Sequence, residues 1–453
     1  MVRNSVKDRP ASTAEAEPTE GGEARNIAPR SAPAQHRPSR PDGMASANAG
    51  IARSFTRKGE LLSRKLSRLA EEVWAPDQKK FLRPFQTQEV AGLLGVTERY
   101  VRQMANELEI PKADAKPAGR RAWALEEVSR LRAHLDAKSP GRYLPHRREG
   151  EHIQVLNFAT FKGGSGKSTQ AIHAAQYFAL RGYRVLAIDL DPQASLTTML
   201  GITPELHVGP HESLFGAISF QDDGDPDVHD GDRGPRPMRD VIRQTYFSGL
   251  DLVPASLELA EFETESPRAL MLRHPSPFFT RISSAIDQVA EDYDIVILDS
   301  PPQLGFITMA GLYASTGLVI TVHPQMIDVA SMAQFMTLAG SLMEVLEGQG
   351  GRSIPLDFEK ILVTRHTPSD QPQMAVVTFL RSLFRTDVLT ATMVNSTAVA
   401  DCGLARQTLY EAVRDSSNKR TYDRALQSMD GVNAELEAEV LRVWNRATTR
   451  AEQ

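Results

Sequence analysis

Residues 153–169 read IQVLNFATFKGGSGKST: an apolar run, a glycine-rich turn, and the opening of an amphipathic stretch. Strand, glycine loop and helix in that order form a phosphate-binding loop, where consecutive backbone N–H groups at a helix N-terminus make a nest for an anion. The spacing departs from G-x-x-x-x-G-K-[ST]. Where that pattern has glycine the chain has Phe161, followed by Lys162, Gly163 and Gly164. The functions of the loop survive the change. Gly163, Gly164 and Gly166, with Ser165 between them, let the backbone close around phosphates. Lys167 is placed to bridge terminal phosphate oxygens, and the Ser168 hydroxyl, ahead of Thr169, to bind Mg²⁺. Lys162 is a second cation at the front of the loop.

A loop of this kind needs a carboxylate at the end of a neighbouring strand to hold the metal. DIVILDSPP ends an apolar run in Asp299, and YRVLAIDLDPQAS ends another in Asp189 and Asp191. Asp299 suits the metal, and Asp191 suits an attacking water. Around them IQVLNFAT, YRVLAIDL, LDLVPAS, DIVILDS, GLVITVH and KILVTR read as strands, with helices predicted over 167–181 and 328–347. Near-continuous apolar runs fit parallel strands covered on both faces. The expectation over 151–453 is a doubly wound parallel-sheet α/β P-loop domain, with ligands at the carboxyl ends of its strands.

Upstream the composition changes. Residues 1–50 are rich in Pro, Ala, Ser, Gly and Glu and read as a disordered arm. Over 51–80, Leu62, Leu66, Leu69 and Val73 make one helical stripe, to be docked internally or paired with a second copy. Residues 51–150 carry 21 Lys/Arg against 13 Asp/Glu, and the remaining 303 residues 24 against 38. A basic module on an acidic body points to a polyanionic partner. Within 81–138, Thr87 is the expected cap of a helix burying Val90, Ala91 and Leu94. Gly95 makes a turn, and Thr97 caps a second helix burying Val101, Met104 and Leu108. That is helix-turn-helix spacing, with AGRRAWALEEVSRLRAHL supplying a basic wing tip and a third helix. Arg99, Arg102, Gln103, Arg120 and Arg121 are the candidate DNA-binding residues of this winged module. SPGRYLPHRREG, 139–150, reads as a linker.

Other classes find less support. A single cysteine, Cys402, excludes a disulfide framework and fits a small buried side chain in a reducing compartment. The absence of a signal-peptide pattern and of a long uncharged apolar run points to the cytoplasm and away from a membrane. The aspartates of QDDGDPDVHDGDRGPRP, 221–237, fail as a calcium loop, since Val228 and Gly234 replace the required glycine and glutamate.

At the loop and the two aspartate motifs the chain resembles a known family. KGGSGKST is similar to the deviant Walker A loop of the ParA/MinD superfamily of ATPases, IDLDPQAS to its second motif, and ILDSPPQLG to its Walker B. ALRGYRVLAIDLDPQASLT, ITVHPQM, FLRSLF, QTLYE and TYDRAL extend the resemblance, over roughly 50–445, to the RepA-type partition ATPases of plasmid RepABC cassettes. The resemblance implies an ATP-dependent sandwich homodimer in which Lys162 reaches the partner's phosphates and Asp191 positions water. It further implies ATP and Mg²⁺, binding to nonspecific and operator DNA on the nucleoid, and release by a ParB/RepB-like centromere-binding protein. It places VTRHTPSD, 363–370, near the adenine. A nitrogenase-type iron protein lacks its cysteines here. A MinD-type membrane helix is not matched by the acidic ELEAEVLRVWNRATTRAEQ, whose Leu436, Val440, Leu441 and Trp444 read as core or dimer contacts. The competing class is a repressor with ATP as its allosteric ligand.

Overall fold

The computed structural model describes residues 51, 53–59, 61–62, 64–65, 80–110, 121–220, 235–348, 356–413 and 419–446. The chain divides into two compact units, Met1–Asp77 and Gln78–Gln453. In the first, the described residues between 51 and 65 are helical and Leu62 is exposed, while Leu66, Leu69 and Val73 lie outside the described residues. The arm 1–50, Arg120, and positions 221–234 of the aspartate-rich segment also lie outside them.

The second unit is built on a seven-stranded sheet ordered β5-β6-β4-β7-β3-β8-β9. Its strands are β3 Gln154–Ala159, β4 Val185–Asp189, β5 Arg243–Gln244, β6 Leu250–Val253, β7 Ile295–Asp299, β8 Gly317–Val322 and β9 Phe358–Val363. All neighbours are parallel except β5, which runs antiparallel to β6. β3, β4, β7 and β8 are buried at every position, as strands covered on both faces must be. Alternation sorts them onto two cores: Val155, Leu186, Val296 and Ile320 on one face, Leu156, Ala187, Ile297 and Val319 on the other. All six expected strands are present. β5 was not expected, because two polar residues on an edge carry no apolar pattern.

Residues 85–138 form a small body on the second core. β1 Phe85–Gln86 pairs antiparallel with β2 Ala122–Trp123. Between them lie α1 Thr87–Leu94 and α2 Glu98–Glu107, joined through Gly95 in the left-handed region at φ 64°, and α3 Leu125–Lys138 follows β2. Val90, Ala91, Leu94, Val101 and Met104 are buried and Leu108 is half-buried. The Thr97 hydroxyl caps α2, accepting from Tyr100 N at 3.3 Å. Thr87 is not the cap of α1. Gln86 occupies that position, its N–H donating to Glu89 at 2.7 Å, and Thr87 is buried to accept from Trp123 Nε1 at 3.1 Å.

This body is fastened to the sheet unit. Arg132, buried in α3, donates to the Leu180 carbonyl at 2.6 Å, at the last turn of α4 Lys167–Arg181. At Gly182, which ends that helix, a Cβ would stand 2.5 Å from Arg132 Cδ. The expected linker is also fixed. Arg147 donates to the carbonyls of Tyr293 and Glu151, and Arg446 to those of Pro145 and His146. Its arginines serve backbone acceptors, a use that basic composition does not reveal.

Two long helices complete the unit. α6 Met326–Gly348 is long and apolar enough, by length and composition alone, to cross a membrane, although it carries Asp328, Glu344 and Glu347. The expectation of no such run counted uncharged residues only. α7 Lys419–Val443 packs on α4, with Leu436, Val440 and the following Trp444 buried. Cys402 is half-buried, less enclosed than expected, and burial raises its thiol pKa to about 11.

Candidate active site

The loop after β3 ends at Gly166, whose φ of 83° follows Gly164 at 76°, a region in which a side chain would be strained. Its carbonyl side is held from the ends of β8 and β9. The Ser165 hydroxyl meets Thr321 Oγ1 at 2.9 Å, Thr364 Oγ1 donates to Ser165 O at 2.6 Å, and Arg365 Nη1 donates to Gly164 O at 3.2 Å. Among the described residues, none accepts a hydrogen bond from the backbone N–H groups of Lys162 through Ser168. A run of unengaged donors opening α4 is the electrostatic form of an anion nest.

Lys167 is buried at the first position of α4. Burial lowers its pKa, while the charges of Asp299 and Asp191 oppose the shift. Asp299 ends β7 beside β3, paired in register with Phe158 on one side and Asp189 on the other. It is fully buried, and neither carboxylate oxygen has a hydrogen-bond partner among the described residues. Burial, reinforced by Asp189, drives its pKa well above the carboxylate range, with Ser168 and Lys167 opposing. A buried carboxylate with both oxygens unpaired is costly unless a cation completes it. Asp299 and the Ser168 hydroxyl therefore fit the divalent metal expected there.

Asp189 and Asp191 have different surroundings. Asp189 is fully buried and accepts from Thr197 N, Thr197 Oγ1 and Asp191 N at 2.9, 2.8 and 3.1 Å. Its pKa is raised to about 7, burial outweighing those bonds. Asp191 is half-buried, and one of its oxygens accepts from Gln193 N at 2.9 Å. Asp189 thus holds the loop that carries Asp191 in front of α5 Ser195–Met199. Thr169, one turn into α4, offers its carbonyl to His173 Nδ1 at 2.6 Å.

Lys162 is exposed at the loop's front and forms an ion pair with buried Asp328 at the start of α6, whose other oxygen lies 3.4 Å from His323 Nδ1. Reading the sequence missed Asp328 and His323. The available signal was an acid in the first turn of an otherwise apolar helix, a charge that needs a partner when buried. VTRHTPSD reaches the loop through Thr364 and Arg365.

The candidate nucleic-acid residues are placed apart from this cluster. Arg102 and Gln103 are exposed on α2 and bond Glu98 and Glu107 at 2.6 and 2.9 Å, with Arg99 exposed nearby. Arg121 departs from expectation. It donates to Ile110 O at 3.0 Å and stacks 4.0 Å over Trp123, so it serves the packing of the module.

Residues 153–348 match a family model described as an AAA domain. The chain is 44% identical over 403 residues to the "Putative replication protein A" of Rhizobium rhizogenes, covering 88% of this chain and 97% of the relative. It is 32% identical over 277 residues to the "Probable plasmid-partitioning protein ParA" of Thermus thermophilus, covering 61% and 70%. A solved structure described as "Partition Protein" shares the fold, at TM-score 0.60 and 20% identity over 86% of this chain and 98% of that one. With a second lysine in its phosphate loop and likeness along nearly its whole length to a replication protein A, the chain belongs to the ParA/MinD superfamily of ATPases and to its RepA-like group.

Proposed function

We propose that this protein is a weak, partner-stimulated Mg·ATPase that segregates a low-copy plasmid or secondary replicon. The carrying observation is the convergence of three groups on one loop: the unengaged amides opening α4, the buried and unpaired Asp299, and Lys162 at the exposed front. Lys167 and the loop amides hold the phosphates. Ser168 and Asp299 hold Mg²⁺, which when bound neutralises charge developing on the transferred phosphoryl group. Asp191, held by the bond between its N–H and Asp189, orients the attacking water. Lys162 reaches the phosphates of a second copy, so turnover depends on dimerisation.

The ATP-bound dimer coats nonspecific DNA in the cytoplasm, and a ParB/RepB-like protein stimulates hydrolysis and release. Residues 85–138 act as a winged helix-turn-helix whose α2 binds the operator, making the protein its own repressor. This second role is favoured by exposed Arg99, Arg102 and Gln103 on one short helix. The deciding experiment measures ATP turnover with and without random DNA and the centromere-binding partner. Turnover that neither addition raises, together with an operator footprint, would leave a repressor with ATP as its effector.

A further inference from the structure

The front of the glycine loop is held by a single helix through two side chains. Lys162 pairs with Asp328, and the Phe161 ring packs on Phe335 with centroids 6.5 Å apart. Asp328 and Phe335 are seven residues apart in α6 and so share one face, which is buried. The two ends of the ion pair differ. The Asp328 side chain is 7% exposed and the Lys162 side chain 46% exposed. The ammonium meets Asp328 Oδ1 as a charge contact rather than an aligned hydrogen bond. The carboxylate has His323 as a second neighbour, 3.4 Å from Oδ2. One end is fixed and doubly attended. The other is loosely held and free to move outward.

We propose that Asp328 is a positioning residue for Lys162. In the nucleotide-free monomer it anchors this lysine to its own chain, and it releases the lysine when phosphate charge is presented across the dimer. The proposal rests on the trans role of Lys162 given above. His323 remains with the carboxylate after the lysine leaves, which limits the cost of leaving a buried charge alone. The anchor keeps the second cation folded back until a competing polyanion is bound, and so couples dimerisation to nucleotide. A purely local role, in which Asp328 complements the first turn of α6, predicts a loss of stability on substitution and no change in the behaviour of Lys162.

Two measurements on the full chain separate these accounts. The first is the acylation rate of Lys162 in nucleotide-free protein, read by mass spectrometry. Asp328→Asn should label several-fold faster than wild type, with Asp328→Glu close to wild type, and equal rates in all three proteins would overturn the anchor. The second is ATP-dependent dimerisation by analytical ultracentrifugation, beside ATP affinity. Asp328→Asn should dimerise at protein concentrations lower by about fivefold or more, with ATP affinity unchanged. Unchanged or weaker dimerisation at unchanged ATP affinity would overturn the release step. Asp328→Ser, which keeps an oxygen at the helix start, serves in both assays if Asn disturbs folding. Should wild type bind no ATP, the reading of the site fails, and the labelling rates still decide the anchor.

Discussion

Asp189 accepts from both the N–H and the hydroxyl of Thr197, at 2.9 and 2.8 Å, and so ties the end of β4 to α5. Its pKa of about 7 in the folded chain lies above the ordinary carboxylate value. Between those two values the folded state binds more protons than the unfolded state. Stability from this group is therefore complete below about pH 4 and lost as pH rises through 7. By the size of the shift the loss is on the order of 4 kcal/mol. Asp189→Asn in the nucleotide-free protein should flatten the decline of melting temperature between pH 5 and 8, and an unaltered slope would place the titration elsewhere.

Lys162→Ala is expected to bind ATP nearly as wild type does, because Lys167 and the loop amides remain. It should fail to dimerise with ATP and fail to turn over. Sedimentation with and without ATP checks this, and normal ATP-dependent dimers would remove the trans role of Lys162.

Asp191→Ala should retain ATP and Mg²⁺, since Ser168 and Asp299 are untouched. It should form the dimer and stay on nonspecific DNA, with phosphate release reduced by about a hundredfold or more, the scale of a lost general-base contribution. Dwell time on DNA and phosphate release, measured on one preparation, decide the matter. Hydrolysis at the wild-type rate would disprove the water-positioning role.

Arg99→Ala and Arg102→Ala should each weaken operator binding by about 1–3 kcal/mol if they read base edges, with basal ATPase activity unchanged. A loss equal on all sequences would mark phosphate contacts. Arg121→Ala should instead lower stability, because that side chain stacks on Trp123 and bonds the Ile110 carbonyl.

Arg132→Met should destabilise the contact between residues 85–138 and the sheet unit by about 2–3 kcal/mol, the scale of a lost charge-assisted bond to a buried acceptor. Limited proteolysis should then release the small body from the sheet unit earlier than in wild type. Equal protease resistance would mean that apolar contacts alone hold it.

Much of the α/β unit is legible in the chain because parallel strands advertise themselves as apolar runs. Likewise Lys167, Ser168, Asp191 and Asp299 stand at fixed offsets from strand ends. The misses share a cause: each depends on a partner far away in sequence. Thr87 leaves the cap because Trp123 needs an acceptor. Arg121 turns from solvent because that same ring offers it a face. Residues 139–150 look like a tether until Tyr293, Ala290 and Arg446 are placed beside them. Asp328 looks like a helix-start acid until Lys162 arrives from the loop.

α4 has the phosphate loop at one end and Arg132 at the other. Its 15 residues make a rod about 22 Å long. The rod is clamped along its side by α7, where Gln170 donates to Asn433 at 2.7 Å and Tyr177 to Glu437 at 3.0 Å. Such a strut needs no hinge to carry news from one end to the other. A tilt of about 5° at the phosphate end moves the far tip by roughly 2 Å, comparable to the helix shifts that switch known interfaces. Geometry of this kind makes the small helical body a pointer whose deflection reports what the loop is holding.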